Sequence, residues 1–187
     1  MHDPEDPRGT TFTVRPANAA DAAPLSQFAA AIFERTFAPQ NRPEDMAAYL
    51  SANFSPPKQA AEIADPDAIT LLVEAEGALI GYAHLRRGEA PGLVQGPDPF
   101  ELVRFYIARE WQGRGVAHAL MEKALARVAA AGGRTVWLGV WEQNPRAIAF
   151  YRKWGFADVG AHEFVLGRDV QTDRVMMRPV GEPAAQA

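Results

Sequence analysis

The stretch Gln112-Gly-Arg-Gly-Val-Ala117 carries the residue types of an anion site. Glycines at 113 and 115 let backbone N–H groups approach a ligand closely, and the helix predicted to follow aims its own unpaired N–H groups at the same point. Helix-dipole attraction contributes about 0.3–2 kcal/mol, so several hydrogen bonds and the Arg114 guanidinium must add to it before an anion is held tightly. The same residues would also serve as a tight turn whose glycines meet only backbone demands. Two common nucleotide motifs are excluded. The stretch lacks the lysine of G-x-x-x-x-G-K-[ST], and His118 stands where G-x-G-x-x-G needs its last glycine.

A strand over Phe100–Ile107 delivers the chain to this loop, and an Ala- and Leu-rich helix from Gly115 to Ala131 leaves it, ended by Gly132-Gly133. Thr135–Val140 reads as a buried strand and Pro145–Lys153 as a helix that stops at Gly155, with Asn144 as N-cap and Pro145 at its first position. On that helix Phe150 and Trp154, four apart, can form the core stripe. Tyr151 is rotated about 100° from Phe150 and is available to a different surface.

Upstream, Thr11–Arg15 alternates as a first strand. Leu25, Phe28, Ala29, Ile32, Phe33 and Phe37 recur at helical spacing, a stripe read most simply as core, with Asn18 and Asp21 as capping residues. Short helices follow at Pro43–Ala52 and Pro57–Ala64. Ile69–Glu74 and Leu79–Arg86 form a hairpin about Glu76-Gly77, and a Gly- and Pro-dense loop covers Gly88–Pro99. Two last strands lie near Phe156–Val165 and Arg174–Val180. The order predicts one mixed α/β domain over residues 11–180, between a flexible leader (1–10) and a disordered tail (181–187).

The composition, 48% hydrophobic and 22% charged over 187 residues, suits a single globular domain. Lys plus Arg total 19 against 23 Asp plus Glu, a net charge of −4, so nucleic acid is disfavoured as a partner. The chain has no cysteine, which excludes disulfides, a cysteine nucleophile and a thiolate zinc site. The histidines at 2, 84, 118 and 162 are too scattered to predict a metal site. No apolar run reaches the ~18 residues of a membrane span, and Met1–Thr10 is acidic and Pro-rich where a signal peptide is basic then apolar. The expectation is a cytoplasmic protein with no membrane partner.

The strand Leu102-Val-Arg-Phe-Tyr-Ile107, the run Gln112-x-x-Gly115-x-Ala117, then Asn144 and Ala149-Phe-Tyr-Arg-Lys-Trp-Gly-Phe156 together resemble the GNAT N-acetyltransferase superfamily. The resemblance implies a central, mostly antiparallel twisted sheet of about seven strands flanked by helices and splayed between its two central strands. It implies acetyl-CoA as co-substrate: Gln112, Gly113, Arg114, Gly115, Val116 and Ala117 at the pyrophosphate, Phe105, Tyr106 and Ile107 along pantetheine by main-chain contacts, and Asn144 as a further cofactor contact beside its capping role. Ala117 stands where many members carry glycine. Tyr151 corresponds to a helix tyrosine facing the thioester sulfur, the general acid of the reaction. Glu101, eleven residues before Gln112, matches a glutamate that some members use as base; as a strand-end carboxylate it would equally sit in solvent.

The front half shows a softer resemblance to bacterial spermidine/spermine N-acetyltransferases, in Ala31-Ile-Phe-Glu-Arg-Thr-Phe37, Asp45-Met-Ala-Ala-Tyr49, Trp137-Leu-Gly-Val-Trp-Glu142 and Val170-Gln-Thr-Asp173. It implies a small amine as partner and substrate, a polyamine first, with Glu34, Asp45 and Glu142 attracting its charge. Acetylation of a protein or peptide amine and a non-catalytic acyl-CoA sensor stand as alternatives, and a homodimer is left open as the assembly.

Overall fold

The computed structural model describes residues 11–38, 41–166 and 169–181; the expected leader and residues 182–187 of the expected tail lie outside the described residues. The hairpin forms where the sequence places it, as β1 (Thr13–Pro16) pairs with the first arm β2 (Ala68–Ala75), and β2 with β3 (Ala78–Arg87). Glu76 and Gly77 both take positive φ, 52° and 77°, the conformation a two-residue turn of matching twist demands. Leu71 and Val73 face one core and Leu72 the other, which is why the run is continuously apolar.

β3 pairs antiparallel with β4 (Pro99–Ile107), and β4 lies parallel to β5 (Thr135–Trp141) through the crossover helix α4, which begins at Val116 and ends at Ala130. The chain then forms the helix Pro145–Lys153 and the hairpin of β6 (Ala157–Leu166) with β7 (Asp169–Pro179), and β7 inserts beside β5. The result is a seven-stranded sheet in the order β1-β2-β3-β4-β5-β7-β6, antiparallel throughout except at β4/β5. The parallel ladder holds only at Pro99↔Thr135, Phe100↔Val136 and Glu101↔Trp137. Beyond it the two strands diverge, and the predicted splay is this divergence.

The helices α1 (Ala22–Phe37), α2 (Pro43–Phe54) and α3 (Pro56–Ala64) pack on one face around Leu25, Phe33, Met46, Phe54, Leu72 and Tyr82. α4 and α5 (Pro145–Lys153) cover the other, with Leu120, Met121, Ala124 and Val128 fully buried. Asn18 and Asp21 form a capping box for the 3-10 turn that leads into α1. Arg15 joins this turn to the sheet by bonding Asp21 at 2.7 Å and Glu74 at 2.6 Å, and its hydrogen bonds hold the Asp21 carboxyl below the usual range.

Two expectations need correction. The α1 stripe is only partly core: Leu25, Ala29 and Phe33 are buried, but Phe33 also presents atoms to a cavity, as do the half-buried Ile32 and Phe37. Helical periodicity marks a buried face without telling a core from the wall of a pocket. β7 starts at Asp169 rather than near Arg174, because pairing with β6 extends a segment whose polar residues carry no strand signal of their own.

Candidate active site

One continuous cavity of about 960 Å³ passes through the β4/β5 splay, from the start of α4 to a chamber behind α1, α2 and α3. At the α4 end, Gly113 and Gly115 adopt φ of 78° and 82°, and nothing lies within 4 Å of where a Cβ would stand on either. Glycine is therefore required by the backbone, and the space above it is open. The α4 ladder opens with Ala119 N–H donating to Gly115 C=O at 3.0 Å, so the first-turn donors of Val116, Ala117 and His118 have no partner within the helix.

The Gln112 side chain braces this loop. Its Nε2 donates to Ile107 C=O at 3.1 Å, and its Oε1 accepts from Arg146 Nη1 at 2.5 Å, linking the end of β4 to the first turn of α5. Gly113, Gly115 and Ala117 line the cavity. Val116 and Arg114 do not: the Val116 side chain is fully buried in the core, and the Arg114 guanidinium lies 4.8 Å from the Trp111 ring centre. Asn144 lines the cavity while its Oδ1 accepts from Ala147 N–H at 3.1 Å, so capping and cavity placement coexist. Arg146 and His118 also line this end; sequence reasoning missed both, although Arg146 is a cation directly after the Asn144-Pro145 cap.

At the splay, Phe105, Tyr106 and Ile107 all line the cavity. Phe105 stacks on Phe150 at 5.6 Å, whereas Tyr106 stacks on Tyr82 at 5.7 Å, so the strand shows rings to both layers. Phe150 is thus a cavity wall beside its stripe partner Trp154, which is core. Tyr151 is buried between Phe105, Phe150 and Phe156 and still reaches the cavity. Its burial pushes the phenol pKa above the ordinary value, so it stays protonated at neutral pH.

The far chamber is walled by Phe33, Phe37, Tyr49, Phe54, Trp141 and Phe164. Its carboxylates are Glu62, Glu101 and Asp173. The carboxylates proposed for this role from the sequence are elsewhere: Glu34 borders a separate cavity of about 260 Å³, and Asp45 and Glu142 line neither. The phase of α1 explains the first, since the turn that gives Ile32, Phe33, Thr36 and Phe37 to the chamber leaves Glu34 exposed. Glu101 is in the cavity but paired, its Oε2 taking two hydrogen bonds from Arg86 at 2.8 and 2.6 Å. His84, bonded to Thr70 at 2.9 Å, is driven by burial to a pKa of about 4 and is neutral.

Glu62 meets Arg104 at 2.6 and 3.1 Å, with side chains 14% and 9% exposed, and Arg104 also covers the Phe54 ring at 4.9 Å. Burial raises the Glu62 pKa, but Arg104 outweighs it and holds the carboxyl low. Its stabilising contribution is present above the unfolded carboxylate value and is lost as pH falls through the depressed folded one. Glu62→Gln leaves a buried guanidinium poorly matched and is expected to cost about 2–3 kcal/mol at pH 7. Thermal unfolding checks this: the variant's deficit should shrink once pH drops below the carboxylate range.

Residues 30–156 match the family model described as Acetyltransferase (GNAT) family. An uncharacterized N-acetyltransferase of Mycobacterium tuberculosis (strain ATCC 25618 / H37Rv) is 37% identical over 158 residues, 84% of this chain and 97% of that protein. The N-alpha-acetyltransferase RimI of the same strain is 32% identical over 127 residues, 66% and 73% of the two chains. Among solved structures, the PaiA N-acetyltransferase of Thermoplasma acidophilum in complex with coenzyme A shares the fold, with a TM-score of 0.72 at 22% identity over 90% of this chain and 99% of that one. The family match over most of the length, together with the mycobacterial relative, establishes that the chain belongs to the acetyltransferase (GNAT) family and is an acetyl-CoA-dependent N-acetyltransferase.

Proposed function

We propose that this enzyme passes the acetyl group of acetyl-CoA directly to a primary amine of a small cationic molecule, with a polyamine such as spermidine or spermine as acceptor. The observation that carries this reading is the single cavity crossing the splay, with an anion-receptive helix start at one end and an aromatic chamber holding carboxylates at the other. The pyrophosphate rests on the loop from Gln112 to Ala117, where Arg114 and Val116 contribute through the backbone, and Arg146 adds positive charge. Pantetheine follows the unpaired edge of β4 at Phe105, Tyr106 and Ile107, an edge freed by the splay. Asn144 flanks it.

An amine of pKa ~10.4 is mostly protonated at neutral pH, and freeing its lone pair costs about 4 kcal/mol. Glu101 takes that proton through water at Oε1, the oxygen that Arg86 leaves unbonded. The neutral nitrogen attacks the thioester carbon, the C–S bond breaks, the proton still in excess on nitrogen passes through water to the departing thiolate, and Tyr151 donates a hydrogen bond to that sulfur. With no cysteine in the chain, no cysteinyl acyl-enzyme intervenes. The same absence fits a reducing, cytoplasmic setting.

A peptide α-amine is the second reading, favoured by the likeness to the mycobacterial RimI. An assay of thiol release from acetyl-CoA over a panel of amines separates the readings. Turnover of spermidine or spermine without lysyl or N-terminal peptides is the expected result. Turnover of peptides alone replaces the acceptor, and tight acetyl-CoA binding with no turnover of any amine makes the protein a sensor.

A further inference from the structure

We propose that Asp173 determines acceptor specificity, holding a non-reacting ammonium group of the amine against the aromatic wall of Tyr49, Trp141 and Phe164. The proposal rests on the small-amine reading above and names the group that would enforce it.

The three carboxylates of the chamber differ in their company. Glu62 has Arg104 at 2.6 Å and Lys58 at 3.5 Å, and Glu101 has Arg86 at 2.6 Å. Asp173 is 14% exposed, and the ion pair it makes among the described residues is with His162, whose Nε2 stands 4.0 Å from Oδ2, beyond hydrogen-bond reach. Its sequence neighbour Arg174 does not compensate it, being engaged with Asp158 at 2.7 Å. A largely desolvated carboxylate with so weak a partner gains from a ligand cation that brings both charge and hydrogen bonds.

The backbone keeps this group at the splay. Asp173 lies opposite Trp141 on β5 and opposite His162 on β6. Two residues before Trp141 on the same face is Gly139, where a Cβ would stand 3.1 Å from Asp173 Oδ2 and 2.9 Å from His162 Nε2. A glycine in mid-strand costs stability, and here its missing side chain is what lets the carboxylate reach the opening. The rings around it form a wall: Tyr49 meets Phe164 edge-on at 6.1 Å and stacks on Phe33 at 4.7 Å, and Trp141 meets Phe37 at 6.5 Å. Carboxylate and π-faces together favour an ammonium. Burial raises the phenol pKa of both Tyr49 and Tyr106, and the charge of Asp173 adds a smaller push in the same direction.

Chemistry then selects the kind of amine. The attacking nitrogen must be neutral, so a carboxylate that gripped it as ammonium would oppose the reaction. A molecule with a second nitrogen a few carbons away leaves that charge on Asp173 while its terminal amine attacks. The acceptor class is therefore a diamine or polyamine rather than a simple alkylamine.

Two probes matched except for the second charge, 1,4-diaminobutane and n-butylamine, test this in the full-length enzyme with Asp173→Asn. The wild-type ratio of kcat/KM for diamine over monoamine is expected to exceed ten, and the variant to bring it near one, chiefly through KM of the diamine. Cooperative melting of the variant at the wild-type temperature establishes that it is folded, so the ratio reads recognition of the second charge. A ratio unchanged in Asp173→Asn overturns the proposal. Should the wild type turn over no small amine, the functional reading fails by itself, and calorimetric binding of spermidine to the coenzyme A complex tests Asp173 separately. No binding by the wild type, or binding that Asp173→Asn leaves intact, overturns it.

Discussion

Gly115→Glu is expected to abolish acetyl-CoA binding while the protein remains folded. Position 115 has φ of 82° and opens α4, and a Cβ there meets nothing within 4 Å. The new side chain therefore does not clash with the fold; it occupies the open space of the cavity beside the start of α4 and brings a negative charge to the proposed anion site. The left-handed backbone adds a penalty of about 1–2 kcal/mol, which a domain of ordinary stability, about 5–15 kcal/mol, survives. Gly77→Glu is the control, because Gly77 has φ of 77°, equally open space and no place in the cavity. Calorimetric titration with acetyl-CoA should find no binding in the first variant and wild-type binding in the second, with both melting cooperatively. Retained micromolar affinity in Gly115→Glu would refute the assignment of the loop.

Tyr151→Phe is expected to lower turnover by about 10²–10³ with little change in acetyl-CoA affinity. The ring stays packed between Phe105, Phe150 and Phe156, so the change removes a hydroxyl and nothing else. Burial raises the Tyr151 pKa above its ordinary value of about 10, and a thiol's is about 8.5, so full proton transfer to the leaving sulfur runs uphill. In the proposed mechanism the hydroxyl acts instead by a hydrogen bond that strengthens as charge develops on sulfur. The sign of the pH dependence follows: the protonated form is the active one, so any alkaline fall in kcat from this group lies above pH 10. Pre-steady-state acetyl transfer measures the effect free of product release, and an unchanged chemical step would remove Tyr151 from the mechanism.

The elements were legible because their signals are local. Glycines at 113 and 115 before an Ala-rich helix, Asn144-Pro145 at a helix start, and Glu76-Gly77 in a hairpin each meet a backbone requirement within a few residues. The α1 stripe was readable as a buried face and unreadable as a pocket wall, since Phe33 and Phe37 are apolar for either purpose. Of the chamber carboxylates, Glu101 was legible through the family resemblance, whereas Glu62 and Asp173 were not. Glu62 reaches the chamber from α3 to meet Arg104, and Asp173 from a strand extended by β6, through contacts between residues far apart in the chain.

The sequence by itself determined the order of elements, the glycine turn that opens α4 and the helix that carries Tyr151, because capping, turn chemistry and periodicity are short-range. Tertiary structure alone decided which carboxylates share the cavity and which of them keep a cation. That outcome depends on strand register and helix phase: register sets Asp173 opposite Trp141 and His162, phase leaves Glu34 outside, and Arg86 and Arg104 reach Glu101 and Glu62 but not Asp173.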